Sequence, residues 1–370
     1  MLTRIKIENY RGFRSYELGG LTTVNLLVGK NNSGKTALLE GIHLAASGGD
    51  PWVLVRTADR RGEAVAASRE GATNLDLSHF FHGHDIKPGS SFSIVPSGGA
   101  PRAVVSVVAL DEVEGQAGPF DGVLPARPAY SLSIEGWPDW KGGGRPFALS
   151  EEGGLLVDLS YPPRRQVGES RREGPPILFI SPDSAEPDAL GLMWNQVLRN
   201  KQEEQVRGAM RILEPELEDI VFQTGAVHFR PYDRPFVGRS GVLVSFAGDQ
   251  RRLPLGSLGD GMRRLLALSI SLSHAKGGYL LIDEIDTGLH YSIMAKMWEL
   301  VVRTAKQANT QVFATTHSAD CVRGLGVLCK ASPELQQDVA AHKIDRELAE
   351  AVSFTGADVL QALEHDIEIR

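Results

Sequence analysis

Alternating and continuous apolar runs predict strands and helices in regular succession at both ends of the chain. Residues 1–7 alternate apolar and polar side chains, as an edge-like strand does. Residues 23–28 form a continuous apolar run of strand length, and residues 37–46 repeat apolar side chains at helical spacing. The same patterns recur later and predict strands over residues 279–282 and 311–314 and a long helix over residues 265–274. This succession predicts an α/β fold.

The middle of the chain has a different composition. Residues 48–182 are rich in glycine, proline and short β-favouring runs such as 103–110, which predicts an antiparallel sheet. Charge, glycine and proline concentrate at residues 163–175, where we expect a mobile loop. Residues 185–222 then predict a short helical hairpin or arm, with Pro215 near the start of its second helix. The apolar stripe of this arm either packs against the body or forms a partner-binding face; its members are Leu190, Met193, Trp194, Val197, Leu198, Val206, Met210, Ile212 and Leu213.

A phosphate-binding loop stands between the predicted strand at 23–28 and the helix at 37–46. It matches the pattern G-x-x-x-x-G-K-[ST], in which glycines let the backbone curl so that consecutive N–H groups face phosphate oxygens. In this pattern Lys35 would reach the β- and γ-phosphates and the hydroxyl of Thr36 would hold Mg²⁺. The sequence therefore predicts binding of a nucleoside triphosphate by Gly29, Lys30, Asn31, Asn32, Ser33, Gly34, Lys35 and Thr36.

Two later strands end in residues that suit hydrolysis of that triphosphate. The run 279–282 is followed by Asp283 and Glu284, the Walker B pattern. Asp283 would bind Mg²⁺, while Glu284 would orient and deprotonate the attacking water. The run 311–314 leads to His317, at the position of a γ-phosphate sensor; a histidine at a strand end can also be structural.

A second glycine-rich segment precedes the predicted helix at 265–274. Ser257, Gly259 and Gly261 would leave N–H groups exposed to an anion at the start of that helix. Since the chain already has one phosphate loop, this second anion site fits an ATPase that caps the γ-phosphate held by a partner subunit. An ordinary helix cap with a flexible entry is the alternative.

Composition limits the classes of protein and the cellular compartments in which this chemistry is expected. The 370 residues are 42% apolar and 23% charged, with a formal net charge of −7, which argues against a protein that coats nucleic acid indiscriminately. No apolar run is long enough to span a membrane, and the N-terminus lacks the apolar stretch of a signal peptide. The two cysteines, Cys321 and Cys329, suit buried thiols in a reducing cytoplasm. Arginine doublets are solvated faces or parts of a basic groove: 60–61, 164–165, 171–172, 251–252 and 263–264.

The order of these motifs resembles an ABC-type ATPase head of the RecF/SMC/OLD kind. More closely, the chain resembles the AAA_15/OLD-like ATPases that lack a Toprim domain. The resemblance rests on the opening segment 5–13, on the segment 257–262, on 283–290 and 315–318, and on the closing residues 366–370.

This resemblance implies a P-loop ATPase head with a mixed sheet, an antiparallel β lobe and a short helical arm. It implies an N-terminal lobe over 1–184, the arm over 185–224 and a C-terminal lobe over 225–370. It also implies a homodimer, or a higher oligomer, that sandwiches ATP and Mg²⁺ between the phosphate loop of one subunit and Ser257, Gly259 and Gly261 of the other. By the same resemblance Arg11 contacts the nucleotide, although a surface arginine is an equal alternative, and His290 lies along the dimer seam.

The sequence also departs from these families. No glutamine occurs before Gln116, so the usual glutamine-loop contact to Mg²⁺ is made differently, and residues 77–85 stand in its place. Their three histidines, His79, His82 and His84, suit a loop over the nucleotide better than a metal site. The carboxylates after His317 do not form a Toprim set, so we expect no nuclease domain in this chain. Residues 185–222 are too short for long coiled coils.

Three functions compete at this point. The first is an ATP-hydrolysing switch that controls a separate effector protein, by family analogy in bacterial defence against phages or plasmids. The second is a DNA-repair head of the RecF/SMC kind that binds DNA directly. The third is a scaffold that binds ATP without hydrolysing it, and Lys35, Asp283, Glu284 and His317 argue against it.

Overall fold

The computed structural model describes most of the chain as two compact units. The described residues are 1–65, 73–98, 102–109, 130–135, 147–151, 153–157, 174–181, 187–223, 227–228, 236–237, 241–248 and 251–369. The first unit comprises residues 1–20, 32–174 and 344–351, and the second comprises residues 21–31, 175–343 and 352–370. The expected mobile loop at 163–175 and the doublets 164–165 and 171–172 lie almost wholly outside the described residues.

The first unit is built on antiparallel strands. Numbered in chain order, its elements are β1 (Arg4–Tyr10), β2 (Phe13–Gly19), α1 (Lys35–Ala46), α2 (Pro51–Arg61), β4 (Ala64–Val65), β5 (Thr73–Asp76), β6 (Ser91–Ser97), β7 (Ala103–Ala109), β8 (Tyr130–Glu135), β9 (Phe147–Leu149) and β10 (Gly154–Val157). Six strands pair in the order β2-β1-β6-β7-β8-β9, and three pair as β10-β5-β4. The antiparallel sheet and the predicted strand near 103–110 are confirmed.

Two expectations for this unit were wrong. β1 buries Ile5 and Ile7 with the expected alternation, but it lies between β2 and β6 rather than at an edge. Helix α2 stands where only strands and turns were expected. Its start is set locally, because Asp50 accepts a hydrogen bond from the N–H of Trp52 and Pro51 occupies the first turn.

The second unit contains a six-stranded mixed sheet flanked by helices. Its elements are β3 (Val24–Val28), β11 (Ile177–Ile180), α3 (Pro187–Arg199), α4 (Glu203–Met210), β12 (Leu217–Gln223), β13 (Val227–His228), β14 (Phe236–Val237), β15 (Gly241–Phe246), β16 (Leu253–Pro254), α5 (Asp260–His274), β17 (Tyr279–Ile282), α6 (Met294–Ala308), β18 (Gln311–Thr316), α7 (Ala319–Ala331), β19 (Val339–Lys343), β20 (Val352–Thr355) and α8 (Gly356–Glu364). The sheet order is β11-β17-β18-β3-β19-β20, with all pairs parallel except β19–β20. Smaller antiparallel sheets are β12-β15-β16 and β13-β14.

The predicted helical arm belongs to the core of this unit. Trp194 of α3 and Met210 of α4 are buried in one apolar cluster with α5, so the packing alternative is confirmed for the apolar stripe except at Leu198, which is 44% exposed. The end of the arm was wrongly expected to be helical. Pro215 lies in a turn after α4, and residues 217–223 form β12, which pairs with β15. Cross-strand pairing overrides the local helical spacing there.

The two cysteines have the buried setting that was expected for them. Cys321 and Cys329 are buried free thiols, and burial raises the pKa of both. None of the helices in the described part of the chain is long and apolar enough to cross a bilayer.

Candidate functional site

The candidate site lies at the carboxyl edge of the parallel strands in the second unit. Val28 at the end of β3 pairs with Thr316 of β18, and Ile282 of β17 pairs with Ala314 of β18. The residues that follow these strands therefore emerge at one edge of the sheet. In open α/β sheets, ligands bind at this edge. It brings together the start of the phosphate loop, the acidic pair and His317.

Two threonines at the end of β18 hold the acidic turn after β17. Thr315 donates its hydroxyl to Asp283 Oδ1 at 2.6 Å and accepts the N–H of Glu284 at 2.9 Å. Thr316 donates to Asp286 Oδ1 at 2.6 Å. Sequence reasoning missed both roles. Their signal was the position of two hydroxyl residues at the end of the strand that neighbours β17.

Glu284 and His317 face each other across this edge. Nδ1 of His317 lies 3.2 Å from Oε1 of Glu284, and their side chains are 50% and 41% exposed. Glu284 has a φ of 50°, in the left-handed region that non-glycine residues rarely adopt. Such strain is found at functional sites where the surroundings hold the residue in place. A water molecule bound here could give a proton to the carboxylate of Glu284, and the imidazole of His317 could orient that water.

The phosphate loop has the local features of an anion site. Gly34 precedes α1 with a φ of 99°, and the first turn of α1 carries no acidic residue. Within the described part of the chain, the hydroxyl of Ser33 is buried and has no hydrogen-bond partner. A phosphate oxygen would supply that partner, so the residues fit a nucleotide. The loop passes from the second unit to the first between Asn31 and Asn32, and the roles of Lys35 and Thr36 stay predictions.

The second glycine-rich segment forms an exposed helix start. Ser257 donates its hydroxyl to the carbonyl of Pro254 at 2.6 Å and is exposed. Gly259 precedes α5 with a φ of 96°, a conformation that favours glycine. Gly261 lies in the first turn, and a Cβ built there would approach Leu289 and Ile293 at ordinary contact distance. The segment is accessible to a ligand, and its action on a partner's nucleotide stays a prediction.

The second arginine of the 263–264 doublet lies neither on a solvent-exposed surface nor in a basic groove, the two settings expected for the doublets. Arg264 is buried, and its guanidinium donates to three backbone carbonyls. Nη1 lies 3.1 Å from the carbonyl oxygen of Ser181, and Nη2 lies 3.2 Å from that of Glu284 and 3.5 Å from that of Asp283. Sequence reasoning missed this contact, because a doublet gives no sign of which arginine turns inward.

An ion-pair cluster around the buried carboxylate of Glu40 contains Arg11 and the doublet 60–61. Arg11 pairs with Glu63 at 2.6 Å and with Glu40 of α1 at 3.3 Å. Arg60 and Arg61 also bond to Glu40, each at 2.9 Å. The alternative of a surface arginine at position 11 is therefore wrong, since only 7% of Arg11 is exposed. Its contact to the nucleotide stays a prediction.

The three histidines of residues 77–85 do not form a metal centre. Nδ1 of His79 lies 3.0 Å from Nδ1 of His84, whereas His82 bonds to the carbonyl of Arg11. Across the described ranges, no group of three metal-ligating side chains is present. His290 stands at a helix start, where its Nδ1 lies 2.9 Å from the hydroxyl of Ser292. A position of His290 along a dimer seam stays a prediction.

Two family models match this chain. The model described as "AAA ATPase domain" matches residues 1–93 and so includes the phosphate loop. The model described as "AAA domain, putative AbiEii toxin, Type IV TA system" matches residues 191–320. This second range includes the helix start at Gly259, the acidic pair and His317. The two matches thus contain the phosphate loop, the glycine-rich helix start, the acidic pair and His317.

Curated relatives and solved structures add similarity over longer or shorter stretches. An ATP/GTP phosphatase of Helicobacter pylori is 22% identical over 342 residues, which cover 87% of this chain and 86% of the relative. The DNA replication and repair protein RecF of Acinetobacter baylyi is 45% identical over 47 residues, or 13% of each chain. An Smc head bound to the C-winged helix domain of ScpA is 13% identical with a TM-score of 0.48, over 96% of this chain and 98% of that one. An Smc head domain from Pyrococcus furiosus with an extended coiled coil, bound to the C-terminal domain of ScpA, is 12% identical with a TM-score of 0.45, over 99% of both chains.

Proposed function

We propose that this chain, an ABC-type ATPase of the RecF/SMC-like kind, is a dimeric switch that closes on ATP and reopens after hydrolysis. The observation that carries the proposal is the pair of Glu284 and His317, 3.2 Å apart at the carboxyl edge of the sheet. A carboxylate held beside an imidazole at this edge could take a proton from an attacking water and orient that water. A scaffold that only binds ATP would have no need of it.

Each residue of the site would have a separate role in hydrolysis. The phosphate loop would bind the triphosphate, with Lys35 on the β- and γ-phosphates. Thr36 and Asp283 would hold Mg²⁺, which offsets the charge of the phosphates. Glu284 would take a proton from water as the water oxygen bonds to the γ-phosphorus and the bond to ADP breaks. His317 would sense the γ-phosphate.

The exposed start of α5 supports a site shared by two subunits. Ser257 and Gly259 are accessible, and the backbone at Gly259 turns out of the preceding helical turn into α5. We propose that a second copy of the chain places this segment over the nucleotide, where its N–H groups and the helix dipole stabilise the γ-phosphate. Hydrolysis would remove that phosphate and release the dimer.

We further propose that the switch controls a separate effector in defence against phages or plasmids. The support is the family model for residues 191–320, whose description names an AbiEii toxin of a type IV TA system. Direct DNA binding, as in DNA repair, is the second candidate, and the 47-residue similarity to RecF favours it. Arg60 and Arg61 are paired with Glu40, which argues against binding of DNA phosphates by this doublet.

The central test is the substitution Glu284→Gln. We expect it to keep ATP binding, to trap the closed dimer, and to lower hydrolysis by about 10²-fold or more, the scale of losing one general base. Glu218→Gln is the matched control, since Glu218 is exposed on β12. Size-exclusion chromatography with ATP and a phosphate-release assay give the two readouts. Hydrolysis at the wild-type rate in Glu284→Gln would refute the assignment of the base.

Affinity capture and salt titration separate the two roles. Recovery of a second protein without nucleic acid would support the effector. DNA binding that weakens by several decades between low and moderate salt would support the DNA-repair head, because each phosphate contact releases counterions.

A further inference from the structure

Arg264 links two parts of the site that the chain places far apart in sequence. It is the fifth residue of α5, little more than one turn after the exposed helix start at Gly259. Its guanidinium reaches the carbonyls of Ser181 after β11 and of Asp283 and Glu284 after β17, at 3.1 to 3.5 Å. Only 4% of the residue is exposed. A rigid, planar group with five donors can bridge several carbonyls in this way, whereas an ammonium cannot hold the same geometry.

The contact matters because it adds a side-chain donor from α5 to the backbone of Glu284. The N–H of Glu284 donates to Thr315, and its carbonyl accepts from Arg264 and from the N–H of Thr287 at 3.1 Å, so both backbone polar groups of this residue are bonded. The left-handed φ of 50° is strained and needs such support. The same positively charged guanidinium bonds to the backbone of a turn that carries the carboxylates of Asp283, Glu284 and Asp286.

We propose that Arg264 is a positioning residue that holds Glu284 in the conformation needed for hydrolysis and couples it to the start of α5. The inference rests on the proposed shared site. A partner's nucleotide that binds Ser257 and Gly259 acts on the same helix end that carries Arg264. Engagement of the helix start in one subunit would therefore stabilise the catalytic turn of that same subunit.

The first test compares Arg264→Met with Arg264→Lys. Methionine keeps an unbranched apolar side chain but removes every hydrogen-bond donor. Lysine keeps the positive charge, and its three N–H donors are all on a single nitrogen. We expect Arg264→Met to bind a fluorescent ATP analogue within about threefold of wild type and to lose about 10- to 10²-fold in kcat, the scale of a misplaced catalytic group. Arg264→Lys should recover part of kcat. A loss of affinity with kcat unchanged would overturn the proposal.

Mixed dimers then decide in which subunit Arg264 acts. In a shared site, Lys35→Ala disables the nucleotide of its own subunit, whereas Ser257→Arg disables that of the partner. An equal mixture of these two variants should regain about a quarter of wild-type activity, since half of the dimers are mixed and each has one intact site. This mixture tests the proposed function alone. If the mixture stays inactive, the proposed shared site is wrong. The ATP affinity and the kcat of Arg264→Met, measured in the first test, still decide whether Arg264 positions Glu284.

If Arg264 positions Glu284 of its own subunit, Arg264→Met behaves like Lys35→Ala. Activity should return in the mixture with Ser257→Arg and should not return in the mixture with Lys35→Ala. Activity in the mixture with Lys35→Ala and none in the mixture with Ser257→Arg would show that Arg264 acts only on the nucleotide site of the partner subunit. That result would overturn the proposal. Failure of both mixtures would indicate general damage to the fold and would also overturn it.

Discussion

Replacing Thr315 by valine removes the hydroxyl that joins β18 to the acidic turn and leaves the shape of the side chain almost unchanged. Thr315 is 1% exposed, so water does not readily replace the hydroxyl. Two hydrogen bonds disappear, one to the carboxylate of Asp283 and one from the N–H of Glu284. A bond to a charged group contributes about 2 kcal/mol and a neutral one about 1 kcal/mol. We therefore expect Thr315→Val to lower the free energy of unfolding of the second unit by about 3 kcal/mol.

Urea denaturation followed by tryptophan fluorescence measures this loss. Trp194 and Trp298 are both buried in the second unit and report its unfolding. Thr315→Ser is the matched control, since it keeps the hydroxyl and loses one methyl group, worth about 1 kcal/mol. A valine variant as stable as the serine variant, to within about 0.5 kcal/mol, would refute the reasoning. Hydrolysis should fall in the valine variant as well, because Asp283 and the backbone of Glu284 both lose a partner.

Two further predictions concern stability. Burial lowers the pKa of His342 from 6.5 to about 4, so between these values the unfolded chain binds a proton that the folded chain does not. Stability should fall by up to ~3 kcal/mol as the pH drops through this window, and pH-dependent urea titrations should show a flatter profile for His342→Gln. Gly34→Ala should melt at a lower temperature than the control Gly89→Ala; both glycines have a positive φ, but only at Gly34 would a Cβ collide, 2.4 Å from the ring of Phe13. Equal melting temperatures would show that the ring moves aside.

The motifs of the site could be predicted because each depends on a few neighbouring residues. A glycine-rich loop between a strand and a helix, or two carboxylates after a buried strand, is defined by local spacing. For the same reason β3, α1, β17 and β18 were predicted close to their observed bounds, whereas α5 begins at Asp260, five residues before its predicted start. Parallel pairing of β3, β18 and β17 then brings the predicted residues to one edge.

The errors occur where the outcome depends on distant partners. Residues 217–222 have apolar side chains that suit a helix, but pairing with β15 makes them a strand. Helix α2 was missed because glycine and proline around it predict turns, although Asp50 and Pro51 together form a local helix start. β1 lies inside its sheet because β6, more than eighty residues later, pairs with its free side.

The sequence by itself identified the motifs from which the chemistry of this protein is proposed: the phosphate loop, the acidic pair, His317 and the glycine-rich helix start. Only the tertiary structure decided what holds those groups in place. Thr315 of β18 and Arg264 of α5 bond to the acidic turn, and Glu40 of α1 pairs with Arg11 from the turn between β1 and β2 and with Arg60 of α2. A hydroxyl or a guanidinium has the same local sequence signal whether it faces water or a buried carbonyl, because its partner is fixed by packing between segments and not by spacing along the chain.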